Sequence, residues 1–156
     1  MPLSIVSAIA ALAVLCATVS CSHTKSDYSS FYSFDQSQWV KGSPLYFEPD
    51  GLDSTAVYDL SLAVRYNTDY AYCDLAVAVD VIDTLMNLQH HEVKLELADE
   101  YGNWKGAGFG EFYQCNTMVA KKLPAWKMRR IALWQSLGVD TLEGVCDVGV
   151  IVTRSR

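Results

Sequence analysis

From Ala56 to Tyr66 the chain changes character at every step: Ala56, Tyr58, Leu60, Leu62, Val64 and Tyr66 alternate with Val57, Asp59, Ser61, Ala63 and Arg65. Successive side chains of a β-strand point to opposite faces, so this period of two describes a strand with one face in a core. Asn67-Thr68-Asp69 then supplies turn chemistry, and Leu75, Val77, Val79 and Val81 resume the alternation. Val93, Leu95 and Leu97 follow against Glu92, Lys94 and Glu96, a strand with a charged outer face. Asp99-Glu100-Tyr101-Gly102 reads as another turn, and Val148, Val150 and Val152 as a closing strand. Short alternating strands separated by turn signals point to an all-β fold, an antiparallel β-sandwich of jelly-roll-like build.

The segment from Pro124 to Leu137 fits two readings. It could be an amphipathic helix with Trp126, Trp134 and Leu137 on one stripe and Gly138 as its stop, or a strand from Met128 to Trp134 followed by a loop. Periodicity alone does not choose between them.

The other strong signal lies at the start. Residues 1–20 carry no charge, and Ile5 to Val19 is almost wholly apolar before Ser20-Cys21 and a polar run. An apolar core of about 15 residues matches a signal peptide and falls short of the roughly 20 needed to span a bilayer. A small residue directly before a cysteine suits lipoprotein processing, although Thr18 stands where leucine is usual and no basic residue precedes the apolar core. Residues 1–20 are therefore expected to be a lipoprotein signal peptide, with Cys21 the lipidated first residue of the mature chain. A plain secretory signal would leave Cys21 an ordinary thiol. Residues 21–36, rich in Ser, Tyr and Asp, read as a short tether, although Tyr28, Phe31, Tyr32 and Phe34 could pack onto the domain. Residues 37–156 form the single expected domain.

The formal charge of −6 belongs wholly to the mature part, since the leader has none. An acidic chain without a dense basic face is a poor ligand for phosphate backbones, so nucleic acid is excluded as a partner. Of the five cysteines, Cys73, Cys115 and Cys146 are left once Cys16 goes with the leader and Cys21 takes the lipid. One disulfide plus a buried thiol and three buried thiols both fit that odd number, and no zinc spacing exists.

The glycine series Gly106-Ala107-Gly108-Phe109-Gly110 superficially resembles a phosphate loop, but a turn precedes it and no helix signal follows. Glycine at alternate positions instead suits a bulge, or a backbone lying against an aromatic ring such as Trp104. His90 and His91, adjacent in a strand, point to opposite faces and lack a third ligand. Aspartates scattered through turns do not converge as calcium requires. No metal or cofactor is expected. Hydrolase motifs such as G-x-S-x-G and H-E-x-x-H are missing from the sequence, so the chain is not expected to be an enzyme. Trp39, Trp104, Trp126 and Trp134, with nine tyrosines, could fill the core or build a sugar-stacking platform. A platform would need at least two of the tryptophans exposed on one face or in one cleft, and fails if all four are buried.

Several segments, in order, resemble one family. Val64-Arg65-Tyr66-Asn67-Thr68-Asp69-Tyr70-Ala71-Tyr72-Cys73-Asp74-Leu75 resembles the "vRNt-dYpY-nL" signature of GldH-type gliding-motility lipoproteins. Asp99 to Gly110 is similar to their D-x-x-G-x-W-x-G-x-G-x-G segment, Leu142 to Val150 to their closing L-x-G-I-x-D-V-G-l, and Gln38-Trp39 with Leu45-Tyr46-Phe47 to their early strand. The departures are Ala71 where proline is usual, the three cysteines of the domain, and Gln135-Ser136-Leu137-Gly138 in place of Q-x-M-R. The family pattern favours a strand at Met128–Trp134.

The resemblance implies a non-catalytic component of the gliding apparatus and the associated type IX protein secretion pathway. Its partners would be the membrane, through the N-terminal lipid, and other envelope motility or secretion lipoproteins. The residues after Cys21 hold no acidic cluster of the sort linked to surface display, so the expected place is the periplasmic face of the outer membrane. Loops on a rigid scaffold carry recognition, which makes Asn67, Asp69, Tyr70 and Tyr72 in one turn candidates for an interaction surface. Trp104, Gly106, Gly108 and Gly110 in another are candidates on the same ground.

Overall fold

Val57–Asn67 is a strand as its alternation requires: Tyr58, Leu60, Leu62, Val64 and Tyr66 are completely buried, while Arg65 on the opposite face is exposed. Each such apolar side chain contributes on the order of 1.5–3 kcal/mol when taken from water. The computed structural model describes residues 26–156.

In chain order the strands are β1 (Tyr28–Ser33), β2 (Gln38–Val40), β3 (Leu45–Phe47), β4 (Val57–Asn67), β5 (Asp74–Ile82), β6 (Leu88–Glu96), β7 (Ala107–Phe109), β8 (Phe112–Pro124), β9 (Arg130–Gln135), β10 (Thr141–Glu143) and β11 (Val145–Arg154). One sheet runs β1-β11-β4-β8-β7 and a second runs β3-β9-β5-β6, with β10 and β2 forming a two-stranded ribbon. All pairings are antiparallel. The two sheets stack as a β-sandwich, the expected fold class. Its core joins the inner residues of β4 and β11 to Leu75, Val77, Val79, Leu95, Ile131 and Leu133 of the second sheet.

The sheets define two ends. Tyr28 aligns with Val152, Leu60 and Ala120, and Val57 with Pro124, so the chain enters the fold beside the exit of β8. From Pro124 a short 3₁₀ turn, Ala125–Lys127, crosses to β9, and buried Met128 closes the core there. This entry end also holds the β5–β6 hairpin, because the Thr84 N–H donates to the Trp126 carbonyl. At the far end Asn67 faces Phe112 and Val145 faces Tyr66.

The sequence reading needs one correction and gains one decision. Residues 28–33 of the expected tether are an edge strand, paired along its whole length with β11. Its serines and tyrosines suit an edge, where one side of the strand faces water. Phe34 and Tyr28 pack against the core, and Phe34 stacks on buried Trp39 with ring centres 5.4 Å apart. Between Pro124 and Leu137 there is no α-helix: a strand runs from Arg130 to Gln135, with Ile131 and Leu133 inward. The strand expected at Met128–Trp134 is present, starting two residues later. The signal peptide, Cys21 and the first residues of the tether lie outside the described residues.

Candidate functional site

The far end is organised around the Tyr66 ring. Tyr113 stacks on it at 5.8 Å, Trp104 tilts against it at 5.4 Å, and Tyr70 lies 6.3 Å away. The Tyr66 hydroxyl donates to the Leu97 carbonyl (2.9 Å) and accepts the Gly106 N–H (3.1 Å). One buried side chain thereby ties β4 to both candidate loops. Burial pushes the Tyr66 phenol above its ordinary value, partly countered by the Gly106 N–H.

The turn after β4 is stitched in detail. Asn67 Oδ1 accepts the Asp69 N–H (3.0 Å), the Tyr70 N–H reaches the Asn67 carbonyl (3.2 Å), and the Asn67 N–H reaches the Gly144 carbonyl (2.9 Å). Gly144 has φ +81°, and a Cβ there would lie 2.3 Å from the Tyr70 nitrogen, so only glycine fits this contact. Tyr70 is buried and donates to the Asp74 carbonyl (2.7 Å); burial, then Asp74 and Tyr72, drive its phenol pKa far up. Tyr72 is exposed and packs edge-on against Tyr70 at 5.7 Å.

The second loop begins at Asp99, whose carboxylate accepts the N–H groups of Tyr101 (2.9 Å) and Asn103 (2.8 Å) and the Asn103 amide (2.8 Å). Those bonds, the side-chain amide foremost, hold its carboxyl below the usual range. Gly108 lies against a ring as expected, but the ring is Tyr113 rather than Trp104: a Cβ would come 2.3 Å from it. Gly110, at φ +64°, turns the β7–β8 hairpin.

The structure thus gathers Asn67, Asp69, Tyr70, Tyr72, Trp104, Gly106, Gly108 and Gly110 at one end. It also shows residues the sequence reading missed. Phe109 and Phe112 face each other across the β7–β8 turn, 94% and 59% exposed. Beside them a groove of about 560 Å³ lies over the first sheet, lined by Arg65, Gln114, Cys146 and Asp147. Arg65 is fixed there: its guanidinium covers the Phe31 ring at 4.6 Å, its Nε donates to Gln114 (3.0 Å), and Asp147 lies 3.7 Å away. Asp147 is itself held by the Ser33 hydroxyl. The available signal was two phenylalanines beside a turn, where polar residues are usual.

Other candidates disperse. Among the described residues no three His, Cys, Asp or Glu side chains converge on a metal position. His90 and His91 do point to opposite faces: His90 Nδ1 meets Asp80 (2.6 Å) and Nε2 meets Glu92 (3.2 Å), while His91 is half-buried. Cys73, Cys115 and Cys146 are all free, and Cys73 is exposed, so neither a disulfide nor three buried thiols is found. Trp39 is fully buried, Trp104 belongs to the Tyr66 cluster, Trp134 is half-buried, and only Trp126 is exposed. One tryptophan is thus exposed and two are half-buried, so the four are not all withdrawn into the core.

Comparison with known proteins finds one family across nearly all of the described residues. The family described as GldH lipoprotein matches residues 26–152. A protein of Christiangramia forsetii named gliding motility lipoprotein GldH homolog is 28% identical over 127 residues, covering 76% of this chain and 78% of its own. Gliding motility lipoprotein GldH of Flavobacterium johnsoniae is 25% identical over 120 residues, covering 72% and 76%. Among solved structures, a carbohydrate-binding module specific for non-crystalline cellulose aligns with 82% of this chain and 72% of its own. That match has 9% identity and a TM-score of 0.40, too loose a likeness to bear on ligand.

Proposed function

This chain belongs to the GldH lipoprotein family, and from that membership we propose that it is a non-catalytic, lipid-anchored envelope component of gliding motility and of the type IX secretion machinery associated with it. It acts by holding other envelope proteins. The anchor is a lipid on Cys21, and the domain faces the periplasm from the outer membrane. Confinement to a surface raises its effective concentration near partners anchored in the same membrane, so modest contacts become productive.

The observation that carries the reading is the far-end surface of Phe109, Phe112 and the Arg65–Asp147 groove. Two adjacent phenylalanines in water are unfavourable unless something covers them, and contiguous apolar patches mark interaction sites. Aromatic side chains with a fixed arginine are also what the energetic centres of protein interfaces favour. Asn67, where the first candidate loop begins, pairs with Phe112, and Gly108 and Phe109 of the second line the groove.

The test is purification of the tagged, lipidated protein from gently solubilised native envelopes, with mass spectrometry of what survives a high-salt wash. Motility or secretion proteins retained by the wild type and lost from Phe109→Asp support the reading. A protein that comes away alone, yet melts at a higher temperature with a polysaccharide, overturns it in favour of glycan capture.

A further inference from the structure

The entry end has an apolar tip of its own. In the Asp83–Asn87 hairpin Leu85 is 75% and Met86 66% exposed, and Trp126 from the neighbouring 3₁₀ turn is 47% exposed. The tip is held firmly. The Asp83 carboxylate accepts the Leu85 and Asn87 N–H groups at 2.8 Å, and the Thr84 N–H fixes the hairpin to the Trp126 carbonyl at 3.1 Å. Met86 sits at φ +66°, a conformation costly for a residue with a Cβ, so the loop presents its apolar side chain under strain.

Cations flank this tip. Arg129 lies 3.7 Å from the Met86 sulfur and the Lys127 ammonium 5.6 Å from the centre of the Trp126 ring. Neither forms an ion pair among the described residues, and Lys127 stands near enough to the Asp83 carboxylate to help hold it charged. The whole chain, by contrast, carries a formal charge of −6. Basic residues beside exposed leucine, methionine and tryptophan match the chemistry of an anionic lipid surface, where indole rings settle at headgroup level.

Chain geometry brings such a surface within reach. Tyr28, where the chain enters, is three strand spacings from β8, whose exit leads to Trp126. Three spacings are about 14 Å. Five Cα steps separate Cys21 from Ser26, a reach of at most about 18 Å.

We infer that the Leu85–Met86–Trp126 tip is a second membrane contact, seated in the headgroup layer of the bilayer that holds the lipid of Cys21. The inference rests on that anchor reading. It fixes the orientation of the domain: the entry end lies against lipid, and the far-end groove points away from it toward partners. One acyl-linked point leaves a domain free to swivel; two points do not.

The experiment uses the full lipidated chain in vesicles of phosphatidylethanolamine and phosphatidylglycerol, with and without bromine on the upper acyl chain. Intact mass first establishes whether Cys21 carries its acyl chains. Brominated lipid is expected to remove the Trp126 part of the emission, and Trp126→Phe to abolish that loss. Leu85→Asp combined with Met86→Asp is expected to reduce it while leaving the unfolding midpoint in place. A lipidated chain whose emission ignores bromine overturns the tip contact alone; a chain without acyl groups overturns the anchor, and the proximity argument with it. Emission that ignores bromine in vesicles but shifts to the blue in native envelopes assigns the tip to a protein partner, which also overturns the proposal.

Discussion

Two five-residue loops, Asp83–Asn87 at the entry end and Asp99–Asn103 at the far end, are built on the same plan. In each, the aspartate carboxylate accepts the backbone N–H groups two and four residues on and the amide of the closing asparagine. In each, the aspartate N–H reaches the asparagine carbonyl, at 3.0 and 2.9 Å. They differ at the fourth position, where the backbone turns left-handed: Gly102 at φ +83° against Met86 at φ +66°. Glycine adopts that conformation freely, whereas a residue with a Cβ pays roughly 1–2 kcal/mol. The far end therefore uses the loop as a relaxed strut beneath the Tyr66 cluster. At the entry end the same loop carries a cost that its own packing does not return, since Met86 stays exposed. Strain that holds an apolar side chain in water makes sense when the side chain has a destination.

The largest effect should come from attacking the far end where it is most tightly fitted. Gly144→Ala adds a left-handed penalty of about 1–3 kcal/mol and a collision with the Tyr70 backbone costing about 1–3 more. The urea midpoint should fall accordingly, and the Asn67–Tyr72 turn should lose amide protection from exchange. Protection unchanged by Gly144→Ala would mean that the turn does not depend on this contact. Next in size is Tyr66→Phe. It keeps the ring stack but leaves the Gly106 N–H without its partner, at about 1–3 kcal/mol, while the Leu97 carbonyl keeps the Lys105 N–H. Loss of protection should then be concentrated at Leu97–Gly106; a loss spread evenly over both ends would deny Tyr66 its local role.

The loop comparison itself is tested by exchanging the left-handed residues. Met86→Gly should stabilise the domain by about 1 kcal/mol and Gly102→Ala destabilise it by about the same amount. The same Met86→Gly variant should weaken the vesicle contact, separating the cost of the residue from its use. If Met86→Gly is neutral or destabilising in urea, the strain argument fails. Both aspartates are held below their ordinary values by asparagine amides and backbone N–H groups. Their stabilisation is present above the unfolded value of about 3.9 and is lost as pH falls through the lower folded values, so the two loops should open together in acid.

Much of the scaffold could be read along the chain because it repeats every two residues. The inner faces of β4, β5 and β11 are the alternating sets from Tyr58, Leu75 and Val148 onward, buried as their period requires. β8 escaped notice because Lys121-Lys122 interrupts its pattern. Lys122 has φ +54° and its N–H turns aside to the Asp59 carboxylate, at a stretch of irregular register with β4. β1 escaped because an edge strand of serine and tyrosine carries no apolar run. The candidate loops were marked by their glycines and aspartates, yet the groove was not. Its walls come from Arg65, Phe112 and Asp147, which only the strand register brings together. Spacing along a chain reports local geometry; a surface assembled from three strands leaves no trace in spacing.

The smallest expected effect concerns charge on the strands that lead to the entry-end hairpin. His90 stands on the outer face of β6, two pairs from the hairpin, between the Asp80 and Glu92 carboxylates. Hydrogen bonds from Asp80 first and Glu92 second hold its imidazole pKa above the ordinary value. A folded value above the unfolded one of about 6.5 stabilises the fold fully below pH 6.5, and that gain disappears as pH rises through the folded value. His90→Gln should therefore lower the urea midpoint at pH 5.5 and leave it unchanged at pH 8.5, by a small margin because the His90 ring is half-exposed and screened by solvent. An NMR titration of the His90 ring should show a midpoint above 6.5 in the folded chain. A midpoint at or below 6.5 would mean that the Asp80 and Glu92 bonds do not favour the charged ring, and the hairpin would then owe nothing to His90.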